Sequence, residues 1–197
     1  MERYLKHDWI ERVFHWVHLI NVALLLLSGI QIHVPSWNIF GSLNNARIVH
    51  FVDMYIFLLL GIIHLYLFFA MGKYKVAMYK VSDFADLIPT IKWHLFLSDY
   101  QPEYTKYNVL QKLSYGALFV ISSLQALLGF AMYRPDLFGA VVSLAGGLVL
   151  LRAYHYLIAW VFISFTGIHF YLILTEDIRL LWGMIHGYYY RKEVTKA

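Results

Sequence analysis

The sequence predicts an all-α membrane protein, a bundle of four transmembrane helices with both termini cytoplasmic. Three observations predict it. Apolar residues fill 60 % of the 197 positions and charged residues 14 %, with a mean hydropathy of +0.58; soluble domains run near about 45–50 % and about 25 %. Four apolar segments, at about 13–32, 47–71, 110–133 and 148–174, each reach the roughly 20 residues that cross a hydrocarbon core as helix. Basic residues are lopsided: apart from Arg47, Arg134 and Arg152, every lysine and arginine precedes the first segment, lies between the second and third or at the opening of the third (Lys112), or follows the fourth. Such asymmetry marks the cytoplasmic side.

Residues 1–12 mix Glu2, Asp8 and Glu11 with basic residues, and no small-residue cleavage site follows the first apolar run. The first segment is therefore expected to be a retained span rather than a leader. The second, 47–71, opens with Arg47 and His50. The connection at 72–109 carries Trp93, Tyr100, Tyr104 and Tyr107 among its charges, and part of it is expected to lie on the membrane surface. Between the third and fourth spans, 137–151 is apolar but short, and it holds Gly139, Gly146 and Gly147. It reads as an interfacial or re-entrant piece leading into the fourth span, not a fifth. Four spans use up the length, so one domain over 1–197 is expected. No internal repeat stands out.

The chain has no cysteine. That excludes disulfides, thiolate-held iron–sulfur clusters and covalent c-type haem. A redox centre carried by this chain must use histidine, methionine or carboxylate, and b haem between two histidines is the simplest. The net charge of +4 needs no nucleic acid, because the membrane topology accounts for where the charges fall.

Six of the ten histidines, His15, His18, His50, His64, His155 and His169, lie in or at the ends of spans. Imidazoles there are costly unless they have a function. His155 and His169 are 14 residues apart, about 21 Å along a helix and within roughly 40° of one face. One helix thus offers a nitrogen ligand toward each side of the membrane, the pattern of two stacked haems. His50 and His155 share the outer depth and form one axial pair. His169 needs an inner partner from His15, His18 or His64. His64 repeats the 14-residue spacing from His50. His15 belongs to a recurring triplet, with Arg12 three residues before it as Arg47 precedes His50 and Arg152 precedes His155. Residues i and i+3 share a helix face, so each guanidinium is placed to bind haem propionates. That favours His15. His18 and His64 are expected to hydrogen-bond across helix interfaces. His7, His33, His94 and His186 are expected to be solvated, and Gly29, Gly61, Gly116, Gly129 and Gly167 to allow close helix approach.

Several short motifs fall in one order: Arg12-Val-Phe-His15-Trp16, Arg47-Ile-Val-His50-Phe51, Trp93-His94-Leu95-Phe96-Leu97, Tyr107-Asn108-Val109-Leu110-Gln111-Lys112, then His155, His169 and Glu176-Asp177-Ile178. With them the sequence resembles the di-haem cytochrome b subunit of membrane-bound nickel–iron hydrogenases, and is similar to the gamma subunit of respiratory formate dehydrogenases. The likeness runs from about Ile10 to Lys192. It implies two b haems, one held by His15 and His169 on the cytoplasmic side, the other by His50 and His155 outside. It also implies a quinone pocket at Asn108 and Gln111, although Asn108 is equally placed to cap the third span. His64 departs from the family pattern.

The expected function is electron transfer through the two haems of a prokaryotic inner-membrane protein. It joins an extracytoplasmic iron–sulfur subunit and its catalytic subunit, hydrogenase first, to membrane quinone. The same wire run backwards, as quinol oxidation feeding an extracytoplasmic reductase, is the alternative. A haem-free anchor or metal-ion transporter is the reading from another class, and the arginine beside each histidine argues against moving cations.

Overall fold

A computed structural model of the chain describes residues 2–100, 102, 106–175 and 178–191. Tyr104, Glu176, Asp177 and Lys192 lie outside them. The chain divides into two compact units, residues 1–64 with 156–197, and residues 65–155.

In the first unit, strand β1 (Glu2–Leu5) leads into helix α1 (Trp9–His33). Asp8 caps α1, its carboxylate accepting the Glu11 N–H at 2.8 Å, so the helix starts four residues before the apolar run does. The helix stops at Val34, whose N–H bonds the Ile30 carbonyl ahead of Pro35, because the residue before a proline is disfavoured in helix. A short 3-10 turn at Pro35–Trp37 leads to α2 (Leu43–Ala70). The buried Gln31 side chain braces this turn, donating to the Ser42 carbonyl and accepting the Phe40 N–H.

The second unit holds α3 (Tyr74–Ala77), a 3-10 turn (Val81–Asp83), α4 (Phe84–His94), α5 (Val109–Tyr133), α6 (Gly139–Leu144) and the opening of α7 (Leu148–Thr175). Lys112 reaches back from α5 to Asp83 at 3.0 Å, tying α4 to α5. The 137–151 stretch becomes α6 and a turn through Gly146 and Gly147, at φ +82 and +103, conformations that side chains resist. Among the described residues four helices, α1, α2, α5 and α7, are long and apolar enough to span. The protein is mostly helical, with four candidate membrane-spanning helices.

The remainder of α7 returns to the first unit, followed by α8 (Arg179–His186) and strand β2 (Tyr188–Arg191). β2 pairs antiparallel with β1, Arg3 opposite Tyr190 and Leu5 opposite Tyr188. The Arg3 guanidinium sits 3.6 Å over the Tyr188 ring. The two strands thus tie residues 2–5 to residues 188–191.

The structure brings out a repeat that the sequence hides. α1 and α5 are each 25 residues long, displaced by 100 positions; α2 and α7 are each 28, displaced by 105. Asp8 and Asn108 cap their helices through the N–H three residues on. Val34 and Arg134 end them with the same backbone bend, φ near −125, before Pro35 and Pro135. The expectation of no repeat fails because the equivalence lies in caps, lengths and bends, while the lipid-facing positions are interchangeable apolar residues.

Candidate functional site

α1 carries His15 less than two turns from its start, and α7 carries His169 near its end. Their rings lie with centroids 6.2 Å apart, inclined by 54°. Two metal–imidazole bonds of about 2 Å, with roughly 1.1 Å more from each nitrogen to its ring centre, span about 6 Å. One iron between these two rings fits that separation. His169 lies parallel to Phe165 at 6.0 Å, and His15 meets the edge of Trp16 at 5.5 Å; these aromatic walls suit a flat macrocycle. The Trp16 indole N–H donates to the Met184 carbonyl, which fixes that wall against α8.

Arg12, expected beside His15, gives Nη1 to the Ile185 carbonyl at 2.8 Å, while its buried Nε makes no hydrogen bond among the described residues. The C-terminal carbonyls of α8 are a favourable place for a cation. Arg47 and Arg152 are exposed and make no hydrogen bond or ion pair among the described residues.

His50 is set by α1. Its Nδ1 lies 2.9 Å from Ser28 Oγ, and that hydroxyl is 2.6 Å from the Leu24 carbonyl. A hydroxyl has one proton to give; given to Leu24, it leaves Oγ to accept from Nδ1–H, which puts the lone pair on Nε2. That is the tautomer a metal ligand needs, held by a partner behind it. Gly29 makes room: a Cβ there would lie 3.3 Å from His50 Cε1. In the other unit, a Cβ on Gly129 would lie 3.4 Å from His155 Cε1, and Gln125 donates to the His155 carbonyl at 3.1 Å. The two histidines sit in matching cradles, each against a glycine four residues before its neighbour helix ends.

The remaining histidines fall elsewhere. His18 donates Nδ1–H to the Phe14 carbonyl at 2.7 Å, within its own helix. His64 meets the edges of His18 and Phe14 at 5.4 and 5.5 Å and makes no hydrogen bond among the described residues. The expected bonds across a helix interface do not form for either, because the rings pack against each other. Of the three candidate partners, His15 is the one whose ring lies beside His169 among the described residues. Of the four histidines expected in solvent, His33 and His186 are exposed, and His7 and His94 are half-buried. His7 lies 3.1 Å from Glu11, His94 packs on Trp93, and His33 stacks on Tyr156 at 3.8 Å.

Asn108 and Gln111 form a reciprocal cap. Asn108 Oδ1 accepts the Gln111 N–H at 2.8 Å and Gln111 Oε1 accepts the Asn108 N–H at 3.0 Å. Both side-chain oxygens are thereby used, and the two NH₂ groups are left with no partner among the described residues.

Sequence reasoning missed the Asn21–Asp53 pair. Asn21 Nδ2 donates to the Asp53 carboxylate at 2.5 Å and to its backbone carbonyl at 3.0 Å, with both residues buried. An acid inside a span was the available signal.

Known proteins resemble this chain over most of its length. The chain is 27 % identical over 202 residues to a protein named as a nickel–iron hydrogenase B-type cytochrome subunit from Cupriavidus necator, covering 90 % of this chain and 83 % of that one. The counterpart named for hydrogenase 1 of Escherichia coli is 22 % identical over 203 residues, covering 90 % and 86 %. A protein named as a protein-methionine-sulfoxide reductase subunit, YedZ1, from Azospira oryzae is 27 % identical over 202 residues, covering 95 % of this chain and 98 % of its own. The model of one family matches residues 6–187, from before α1 to the end of α8. This multi-pass membrane protein belongs to the prokaryotic cytochrome b561 family.

Proposed function

We propose that the chain is the membrane subunit of a quinone-linked oxidoreductase, with two b haems, one held by His15 and His169 and the other by His50 and His155. When bound, such haems supply a one-electron relay across the lipid. The observation that carries the reading is the 6.2 Å separation of the His15 and His169 rings, supported by the matching glycine cradles at His50 and His155. Ser28 orients His50 for ligation. Arg47 and Arg152 offer unengaged guanidinium groups to propionates, and Arg12 offers its remaining nitrogens.

The NH₂ groups of Asn108 and Gln111 are donors suited to a quinone carbonyl. With the basic segments on the cytoplasmic side, this end of α5 faces the cytoplasm, from which a quinone being reduced takes its protons. The partner is an extracytoplasmic iron–sulfur subunit with its catalytic subunit. A hydrogenase is favoured by the names of the relatives. The reverse direction, quinol oxidation feeding a reductase, is favoured by the YedZ1 relative, whose length is covered almost end to end.

Purified protein tests this directly. A Soret band and a pyridine haemochrome equivalent to two haems per chain are expected, falling to one in His15→Ala and in His169→Ala and staying at two in His64→Ala. A purified chain with no haem signal overturns the reading. Quinol added to the oxidised protein, and hydrogen added to the complex with its co-purified partner, separate the two directions.

A further inference from the structure

Asp53 lies ten residues into α2 and Asn21 twelve residues into α1, both within spans and far from either end. Asp53 is 5 % exposed and Asn21 3 %. One Asp53 oxygen is taken by the Asn21 amide; the other, Oδ2, has no partner among the described residues, and neither has Asn21 Oδ1. Two buried acceptors without a donor, side by side on one residue pair, ask for a hydrogen.

We propose that the Asn21–Asp53 pair is a proton-binding site in the membrane interior, in which Asp53 is held as the neutral acid and its O–H donates to Asn21 Oδ1. The acid and the amide then face each other through two hydrogen bonds, and one proton satisfies both stranded oxygens. An ionised carboxylate with a single amide donor is the costly alternative, since a buried charge needs a cation or several donors. The ionisable groups of the same helices include His18 on α1 and Arg47, His50, Tyr55 and His64 on α2; on the part of α7 in this unit they are Tyr156, His169 and Tyr171. None of them hydrogen-bonds or ion-pairs with the Asp53 carboxylate. A bound alkali or calcium ion would want roughly six oxygens, and the pair presents two.

The repeat shows that the pair is not needed to build the hairpin. The positions equivalent to Asn21 and Asp53 in α5 and α7 are Ile121 and Ile158. The same helices, with the same caps, form there with plain hydrocarbon. A polar pair standing where the equivalent positions are both isoleucine is a site.

The test is infrared spectroscopy of the full chain in lipid nanodiscs near neutral pH, with and without carbon-13 aspartate. One carboxylic-acid carbonyl band is expected to move on isotope labelling, to vanish in Asp53→Asn, and to shift to the position of a free acid in Asn21→Val. Asp53→Asn preserves shape, and the labelled wild-type chain gives its reading without any variant. Absence of an aspartic-acid band in the wild type overturns the proposal, as does a band undiminished in Asp53→Asn or unmoved in Asn21→Val. A band that disappears on adding sodium at constant pH also overturns it, in favour of a cation. None of these readings requires haem, so the proposal stands or falls apart from the electron-transfer reading.

Discussion

The α1–α2 pair and the α5–α7 pair are the same construction finished differently. Each has a capped 25-residue helix, a bend before proline, and a 28-residue helix carrying a histidine against a glycine of its neighbour. The first pair adds polar side chains inside: Ser28 behind His50, and Asn21 against Asp53. At the equivalent places the second has Leu128, Ile121 and Ile158. The shared features are those that backbone geometry and the histidine rings demand; the differing ones are polar side chains. Even the anchors follow this pattern. Arg12 and Lys112 occupy equivalent positions, but Arg12 binds a backbone carbonyl of α8 and Lys112 a carboxylate before α4.

The largest effect is expected at the histidines. His50→Ala and His155→Ala should each remove the same haem, leaving one per chain, and the double variant should lose no more. Haemochrome quantification checks this, and a double variant with none breaks the equivalence of the two cradles. Next come the glycines. A Cβ at Gly29 or Gly129 presses on the histidine ring, so Gly29→Val and Gly129→Val should each destabilise by about 1–3 kcal/mol, read as a lower melting temperature. Gly29 should be the more sensitive, because Ser28 prevents His50 from yielding.

Ser28→Ala should lower haem affinity roughly tenfold, as loss of an orienting partner does at other metal sites; competition by apomyoglobin measures it. Leu128→Ala, at the equivalent position, should change it far less. Smaller still, Asn21→Ile with Asp53→Ile copies the second pair into the first. Thermal unfolding should stay within about 1 kcal/mol of wild type or rise.

The smallest effect is that of pH on the two anchors. The Lys80 backbone N–H, then Lys112, hold the Asp83 carboxyl below the usual carboxylate range, against the opposing pull of burial. A lowered value means that the stabilisation is present above about pH 3.9, the unfolded value, and is lost as pH falls through the folded one. Hydrogen exchange across residues 74–95 should therefore quicken below about pH 4, while α8, held by Arg12 through a carbonyl that does not titrate, should respond less.

The sequence made the spans legible because hydropathy alone sets their existence, and the structure moves their ends only where a cap extends them, as Asp8 does for α1. The basic asymmetry put both ends on one side of the membrane in the sequence reading, and in the structure β1 pairs with β2. The approach of His15 to His169 was legible in the arginine triplets and in the family likeness. The strands themselves were not foreseen, since two four-residue segments far apart in sequence carry little signal beyond the β-prone run Tyr188-Tyr189-Tyr190. Ser28 behind His50 was equally hidden, because a lone serine in a span reads as packing until its partner is seen. Asp53 was visible as an acid within a span, but nothing in the sequence marks Asn21, 32 positions before it, as its partner.

The order in which these contacts become available during synthesis differs between the cradles and the inner pair. Asn21–Asp53 and Ser28–His50 join residues 32 and 22 positions apart, so the first helix pair can zip together while the ribosome is still translating the rest. His15 must wait for His169, near the end of the last span. A nascent chain stalled before that point would display a finished hairpin with an unmatched imidazole.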